Sequence, residues 1–228
     1  MGYSLDLKMI SIDMYKEILR NQYLLPSRKI LHQDMDSSFG AIRNCQILNL
    51  AELKNALSNT QKLSAFSEKS GLSKDYLTIL RREVGSIEPK IAQIKDFPDI
   101  DERTIISLEA EGIKSSRDYY EFYYSLKDKN EITQKLSIST DKAQELISLC
   151  DLVRINGVGA VAAMSFFDAG YNSVSDVANT TADEMLKRVS KVNEIKQYYK
   201  AKLGIKDMQY CIDFARIIAN LEKLNQRL

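Results

Sequence analysis

Residues 151–170 read Asp151-Leu152-Val153-Arg154-Ile155-Asn156-Gly157-Val158-Gly159-Ala160-Val161-Ala162-Ala163-Met164-Ser165-Phe166-Phe167-Asp168-Ala169-Gly170, with Gly157 and Gly159 interrupting an otherwise helical composition. Upstream, Ala143, Leu146, Ile147, Cys150 and Val153 recur at the i, i+3, i+4, i+7 spacing of a helix with one apolar face. Gly157 and Gly159 permit a tight turn, and Val158 between them is placed to anchor that turn in a core. Helical composition then resumes until Gly170, which reads as a helix stop. A helix entered through glycine leaves its first backbone amides exposed at the positive end of its dipole, where a phosphate can sit. Because Gly157-Val158-Gly159 follows a helix, it is not the turn of a dinucleotide fold.

The pattern around Gly170 recurs. Gln46-Ile47-Leu48-Asn49-Leu50-Ala51-Glu52-Leu53, Gly112-Ile113-Lys114-Ser115-Ser116-Arg117-Asp118-Tyr119 and Gly170-Tyr171-Asn172-Ser173-Val174-Ser175-Asp176-Val177 align without gaps at offsets of 66 and 58. Each places a capping residue (Asn49, Ser115, Ser173) three positions before an acid, the signature of a capping box and so of a helix start. Gly112 and Gly170 precede two of these starts, and Gln46 is the imperfect member. About one helix before each turn stands a second landmark: Ile10-Ser11-Ile12-Asp13, Leu72-Ser73-Lys74-Asp75 and Ile138-Ser139-Thr140-Asp141, with Ile205-Lys206-Asp207 as a degraded fourth copy. The terminal helix repeats the idea with Ile212, Ala215, Arg216 and Ala219, a stripe that one polar residue interrupts. The repeating unit is therefore about 60 residues long, with turns near 30–46, 94–112 and 155–170. None of the units can bury its apolar face alone. Scarce breakers (9 Gly, 3 Pro) agree with an all-α fold.

The Gly-apolar-Gly turn between two helices resembles the helix-hairpin-helix motif. The stretch from about 94 to 218 is similar to a largely bacterial family of unknown function, the one numbered 4332, on the residues Asp151 to Gly159 with Gly170 and Val174. The resemblance implies tandem degenerate helix-hairpin-helix repeats, packed as one array or as two lobes, and implies no activity. The expected division is 1–92 for an N-terminal lobe with the first unit and 93–228 for a C-terminal domain with units at about 94–152 and 153–220. The Gly85-to-Pro98 stretch is the expected break.

Charge decides how many of the turns can meet phosphate. The second turn lacks both glycines and presents Asp96, Asp99, Asp101 and Glu102, and the first carries Asp34 and Asp36. Acids at a helix start cap it internally and repel phosphate. After Gly159 come Ala160, Val161, Ala162 and Ala163, with no basic or hydroxyl side chain. At most the third turn grips a backbone, and one such contact is weak. Downstream runs a basic stretch, Lys187, Arg188, Lys191, Lys196, Lys200, Lys202 and Lys206 against the single acid Glu194, which reads either as a solvated helix face or as a nucleic-acid surface with Tyr198 and Tyr199 for stacking. Glu184 and Arg188 can pair at i, i+4. In Tyr119-Tyr120-Glu121-Phe122-Tyr123-Tyr124 the aromatics spread over about 200° of a helix, wider than one buried stripe, so part of the run faces solvent or a partner.

Other functions find little in the sequence. His32 is the single histidine, and Cys45, Cys150 and Cys211 are dispersed without a CxxC pair, so neither a zinc site nor a disulfide framework is expected. No P-loop or nucleophile elbow occurs, and no cofactor or catalytic residue is expected. Unpaired thiols suit a reducing cytoplasm. No apolar run reaches membrane-spanning length, and Met1-Gly2-Tyr3-Ser4-Leu5-Asp6 has Asp6 where a myristoylation start needs Ser or Thr. The net charge of +1 excludes a global field drawing the protein to nucleic acid or anionic lipid.

Two readings follow. A non-enzymatic module binds DNA or RNA backbone weakly and non-specifically, with Gly157, Val158 and Gly159 forming the phosphate turn and Arg154, Asn156, Lys187, Arg188 and Lys191 around it. Alternatively the fold is only architecture for a protein scaffold, and Tyr119, Tyr120, Tyr123 and Tyr124 contact a protein partner or a second copy of the chain.

Overall fold

The computed structural model describes residues 2–225, and among them the protein is all-α. Its α-helices are α1 (Ile12–Asn21), α2 (Met35–Asn44), α3 (Leu50–Ala56), α4 (Thr60–Ser70), α5 (Lys74–Ser86), α6 (Glu102–Ala110), α7 (Ser116–Ser125), α8 (Asn130–Leu136), α9 (Thr140–Leu152), α10 (Ala160–Asp168), α11 (Val174–Ala178), α12 (Ala182–Lys196) and α13 (Ile205–Asn225). Short 3-10 turns precede α1, α2 and α6. The chain divides between Glu88 and Pro89, inside the Gly85–Pro98 stretch and four residues before the expected boundary of 92. One unit is built on residues 5–88. The other takes residues 89–222 together with residues 2–4, an exchange that no sequence pattern announces.

Polar caps set most helix starts. The hydroxyls of Ser11, Ser73 and Ser139 accept from the amides of Met14, Tyr76 and Lys142, which fixes the starts of α1, α5 and α9. The side chains of Asn49, Ser115 and Ser173 accept from the amides of Glu52, Asp118 and Asp176 at the starts of α3, α7 and α11. Each acid answers back to the chain entering the helix: Glu52 accepts from Leu48, Asp118 from Lys114 and Ser115, and Asp176 from Asn172. Position 46, the imperfect member of the alignment, has the same backbone as its counterparts, with φ of +65° at Gln46, +75° at Gly112 and +89° at Gly170. A left-handed residue after α2, α6 and α10 turns the chain before the next cap, and Gln46 adopts that shape without glycine's freedom.

In the unit of residues 5–88, α1 packs on α2 while α3, α4 and α5 pack together around Ile12, Tyr15, Leu19, Phe39, Ile42, Leu53, Leu77 and Leu80. Glu83 is buried there and accepts from Gln22 (3.0 Å) and Arg28 (2.5 Å). His32 meets the Leu19 carbonyl at 2.9 Å, a contact that fastens a 3-10 turn.

In the other unit α9 runs through the core, flanked by α7, α8 and α10. The expected stripe of Ala143, Leu146, Ile147, Cys150 and Val153 is buried throughout, and so are Leu149 and Leu152 on the opposite side. The stripe of α13 is broader than the expected one, and Arg216 interrupts it as expected. Met208, Cys211, Ile212, Phe214, Ala215, Ile218 and Leu221 are buried, whereas Arg216 turns outward and donates to the carbonyls of Ala178 and Thr180.

Candidate functional site

The turn between α9 and α10 has the geometry its glycines suggest. Gly157 sits at φ +88°, and Val158 is buried beneath the turn. Gly159 is the N-cap of α10 in extended backbone (φ −93°), with no side-chain cap and no acid in the first turn. A Cβ added at Gly159 would meet open space, whereas one at Gly157 would lie 3.2 Å from the Tyr210 ring. Asn156, expected beside a phosphate, instead donates to the Tyr210 hydroxyl at 2.5 Å and so braces the turn against α13.

The second turn has the same spacing, 58 residues earlier, and opposite chemistry. Asp99 occupies the left-handed position of Gly157 with φ +61°. Asp101, in the place of Gly159, caps α6 by accepting from the Thr104 amide (2.9 Å) and hydroxyl (2.8 Å). The Thr104 amide bond holds the Asp101 carboxyl below the usual range. A carboxylate thus fills at α6 the space left open at α10.

Arg154 is not at the surface. Its side chain is 1 % exposed, and the expected phosphate contact gives way to a buried cluster. The guanidinium donates to Asp151 (2.6 Å), Glu222 (2.5 Å), the Tyr120 hydroxyl (2.9 Å) and the Tyr3 carbonyl (3.0 Å), and it lies 4.8 Å from the Tyr120 ring centre. The other carboxylate oxygen of Asp151 accepts from the Val174 amide (2.7 Å), which fixes the start of α11. An arginine three residues before a glycine turn looks the same in sequence whether it points outward or inward. The presence of acids in α9 and α13 decides it here.

Arg188 and Lys196 of the basic stretch stand at the C-terminal end of α10 and not at the glycine turn. Arg188 pairs with Glu184 (2.8 Å), lies 5.6 Å from the Tyr171 ring centre and stands beside Gly170, at the C-terminal end of α10. The glycine turn is at the other end of that nine-residue helix, about 13 Å away at 1.5 Å per residue. Lys187 and Lys191 are exposed on α12, one residue before Arg188 and three after it. Lys196 lies near Asp99 (3.7 Å) and Asp168 (4.0 Å), which offset its charge, and Tyr198 donates to Asp168. Of the tyrosine run, Tyr119 and Tyr120 are core residues. Tyr119 donates to the Ala143 carbonyl at 2.9 Å, and burial pushes both phenols far up. Tyr123 is half-buried and Tyr124 is 42 % exposed, with the Lys129 ammonium over both rings.

A groove of about 500 Å³ opens beside the first turn of α10. Its apolar lining includes Ile91, Ala92, Val158, Val161 and Tyr199, and its charged members are Lys90 and Asp96. Ile91 and Val161 are 45 % and 40 % exposed. The Lys90–Ala92 wall is held by Tyr3, which is fully buried: its hydroxyl donates to the Lys90 carbonyl (2.8 Å) and pairs with Ser116 (2.8 Å), which in turn accepts from the Ala92 amide (3.1 Å). Sequence reasoning missed Lys90, Ile91 and Tyr3. No spacing rule links them to residue 159, because the wall reaches α10 only through tertiary packing.

Among the described residues no group of three His, Cys, Asp or Glu side chains could hold a metal ion, and no helix is long and apolar enough to cross a membrane. The three thiols are buried and unpaired. No curated protein and no solved structure matches the chain. A family model does match it, over residues 98–217, a span that holds both turns compared above and the whole of α6 to α12. The chain belongs to the family described as Domain of unknown function (DUF4332).

Proposed function

We propose that this is a non-enzymatic helical module that holds a nucleic-acid phosphate on the first turn of α10, weakly and without sequence specificity. The observation that carries the reading is the contrast between equivalent turns: Asp101 closes the start of α6 with its own carboxylate, while Gly159 leaves the start of α10 open to solvent. Open amides at a helix N-terminus favour an anion, and the turn agrees with the helix-hairpin-helix reading of the sequence. The nearby cation is Lys90 across the groove, and Arg154, Lys187, Arg188 and Lys191 are not part of the contact. With so few phosphates neutralised, binding is salt-sensitive and no tighter than about micromolar. Buried unpaired thiols fit a reducing, cytoplasmic setting.

Fluorescence-anisotropy titration of labelled DNA and RNA at low and physiological salt tests the reading. Binding should collapse with salt, vanish in Gly159→Asp and weaken several-fold in Lys90→Glu. Absence of binding at low salt, or full binding by Gly159→Asp, would refute it. A scaffold reading keeps one specific support, the exposed Tyr124 beside Tyr123 and Lys129, but burial of Tyr119 and Tyr120 removes half of the surface it started from. A protein or self-association contact there would resist salt and fail on Tyr124→Ala.

A further inference from the structure

We infer that the groove beside α10 receives an unpaired nucleobase, so that the module prefers single-stranded nucleic acid to a duplex; this rests on the phosphate reading above. Gly159, Ala160, Val161 and Ala162 line the groove as well as forming the open helix start, so a phosphate on those amides places the attached nucleotide at its mouth. Ile91 and Val161 each expose a large part of an aliphatic side chain there, and Tyr199 adds an aromatic one. A duplex offers only sugar and phosphate at this distance, and its bases stay stacked inside. An unstacked base presents a flat apolar face, which is how single strands are commonly held. Charge agrees: Lys90 and the positive helix end suit the phosphate. Asp96 repels phosphate but can accept from an exocyclic amine, so the base and not the backbone belongs on its side. The wall is already rigid, because Tyr3 and Ser116 fix the Lys90–Ala92 backbone, and little ordering is needed on binding.

Three labelled oligonucleotides of one length separate the possibilities: an adenine-rich single strand, the same strand annealed to its complement, and a single strand with abasic sites that keeps every phosphate. The single strand should bind about tenfold or more tighter than the other two, the scale of one stacked base. Ile91→Ser, a change at an exposed side chain, should bring the single strand down to the abasic level and leave abasic binding unchanged, with an unaltered melting temperature. Equal binding of single strand and duplex, or of single strand and abasic strand, would overturn the inference while leaving the phosphate reading standing. Binding of none of the three would end both.

Discussion

Arg154→Met tests whether this arginine is architecture or interface. The substitution keeps length and apolar stem but removes a guanidinium that is 1 % exposed and satisfies Asp151, Glu222, the Tyr120 hydroxyl and the Tyr3 carbonyl. Two carboxylates, 16 % and 19 % exposed, would lose their cation, and a hydroxyl and a carbonyl would lose their donor. Breaking a buried ion pair from one side costs about 3–5 kcal/mol, because the partner charge is left unpaired in poor solvent. A domain is stable by about 5–15 kcal/mol in all, so this is a large part of what holds residues 89–222 together. At about 3 °C per kcal/mol for a unit of this size, calorimetry should show a melting transition lowered by about 9–15 °C. Glu222→Gln, which keeps an oxygen acceptor, should lower it far less. The double variant Arg154→Met with Glu222→Leu should recover part of the loss, since an apolar pair can replace a buried ionic one. An Arg154→Met protein with unchanged melting temperature and lost nucleic-acid binding would refute the reasoning and return Arg154 to the surface.

Gly157→Ala should cost about 1–2 kcal/mol in chemical denaturation, from its φ of +88° and the 3.2 Å approach of the new Cβ to Tyr210, while Gly159→Ala should cost under about 1 kcal/mol; equal costs would count against the described turn. Burial pushes the Asp118 carboxyl up, but the Ser115 hydroxyl and the amides of Lys114 and Ser115 outweigh it and hold the carboxyl below its ordinary range. Its stabilisation is therefore complete above about pH 4 and lost as pH falls through the lowered value, and Asp118→Asn should cost about 0.5–1 kcal/mol at pH 7 and flatten the acid limb of stability against pH. Burial pushes the Cys150 thiol far up and the Cys211 thiol up to about 12, so alkylation at pH 8 should proceed only through unfolding, as mass spectrometry of labelled native and denatured protein would show. Since both thiols titrate higher when folded than the unfolded value of about 8.5, stability should also decline as pH rises beyond that point.

The contrast between Asp99-Ile100-Asp101 and Gly157-Val158-Gly159 shows how one backbone serves two purposes. Both turns place a left-handed residue two positions before the helix cap. Asp at the cap stabilises the helix from within, and Gly at the cap gives up that stabilisation and leaves the amides to an outside anion. Retaining Gly159 where Ser or Asp would hold α10 better is a local cost that the folded state alone does not explain. Such departures from local consistency are where function is to be sought.

Local chemistry was legible in the residues themselves. Ser11, Ser73, Ser139, Asn49, Ser115 and Ser173 all cap the helices their sequence context marks, because a cap needs only the amides two or three residues ahead. The same holds for the α9 stripe, whose period is a property of the helix. What depends on long-range packing was not legible. Arg154 points inward because Glu222 and the Tyr3 carbonyl, 68 and 151 residues away, converge on it. Arg188 follows the glycine turn in sequence yet lies at the other end of α10, beside Gly170. Lys90 and Ile91 reach the turn through packing that Tyr3 holds in place. Sequence fixes what a residue can do to neighbours within a helical turn, and only the tertiary structure decides which distant charges and apolar walls it meets there.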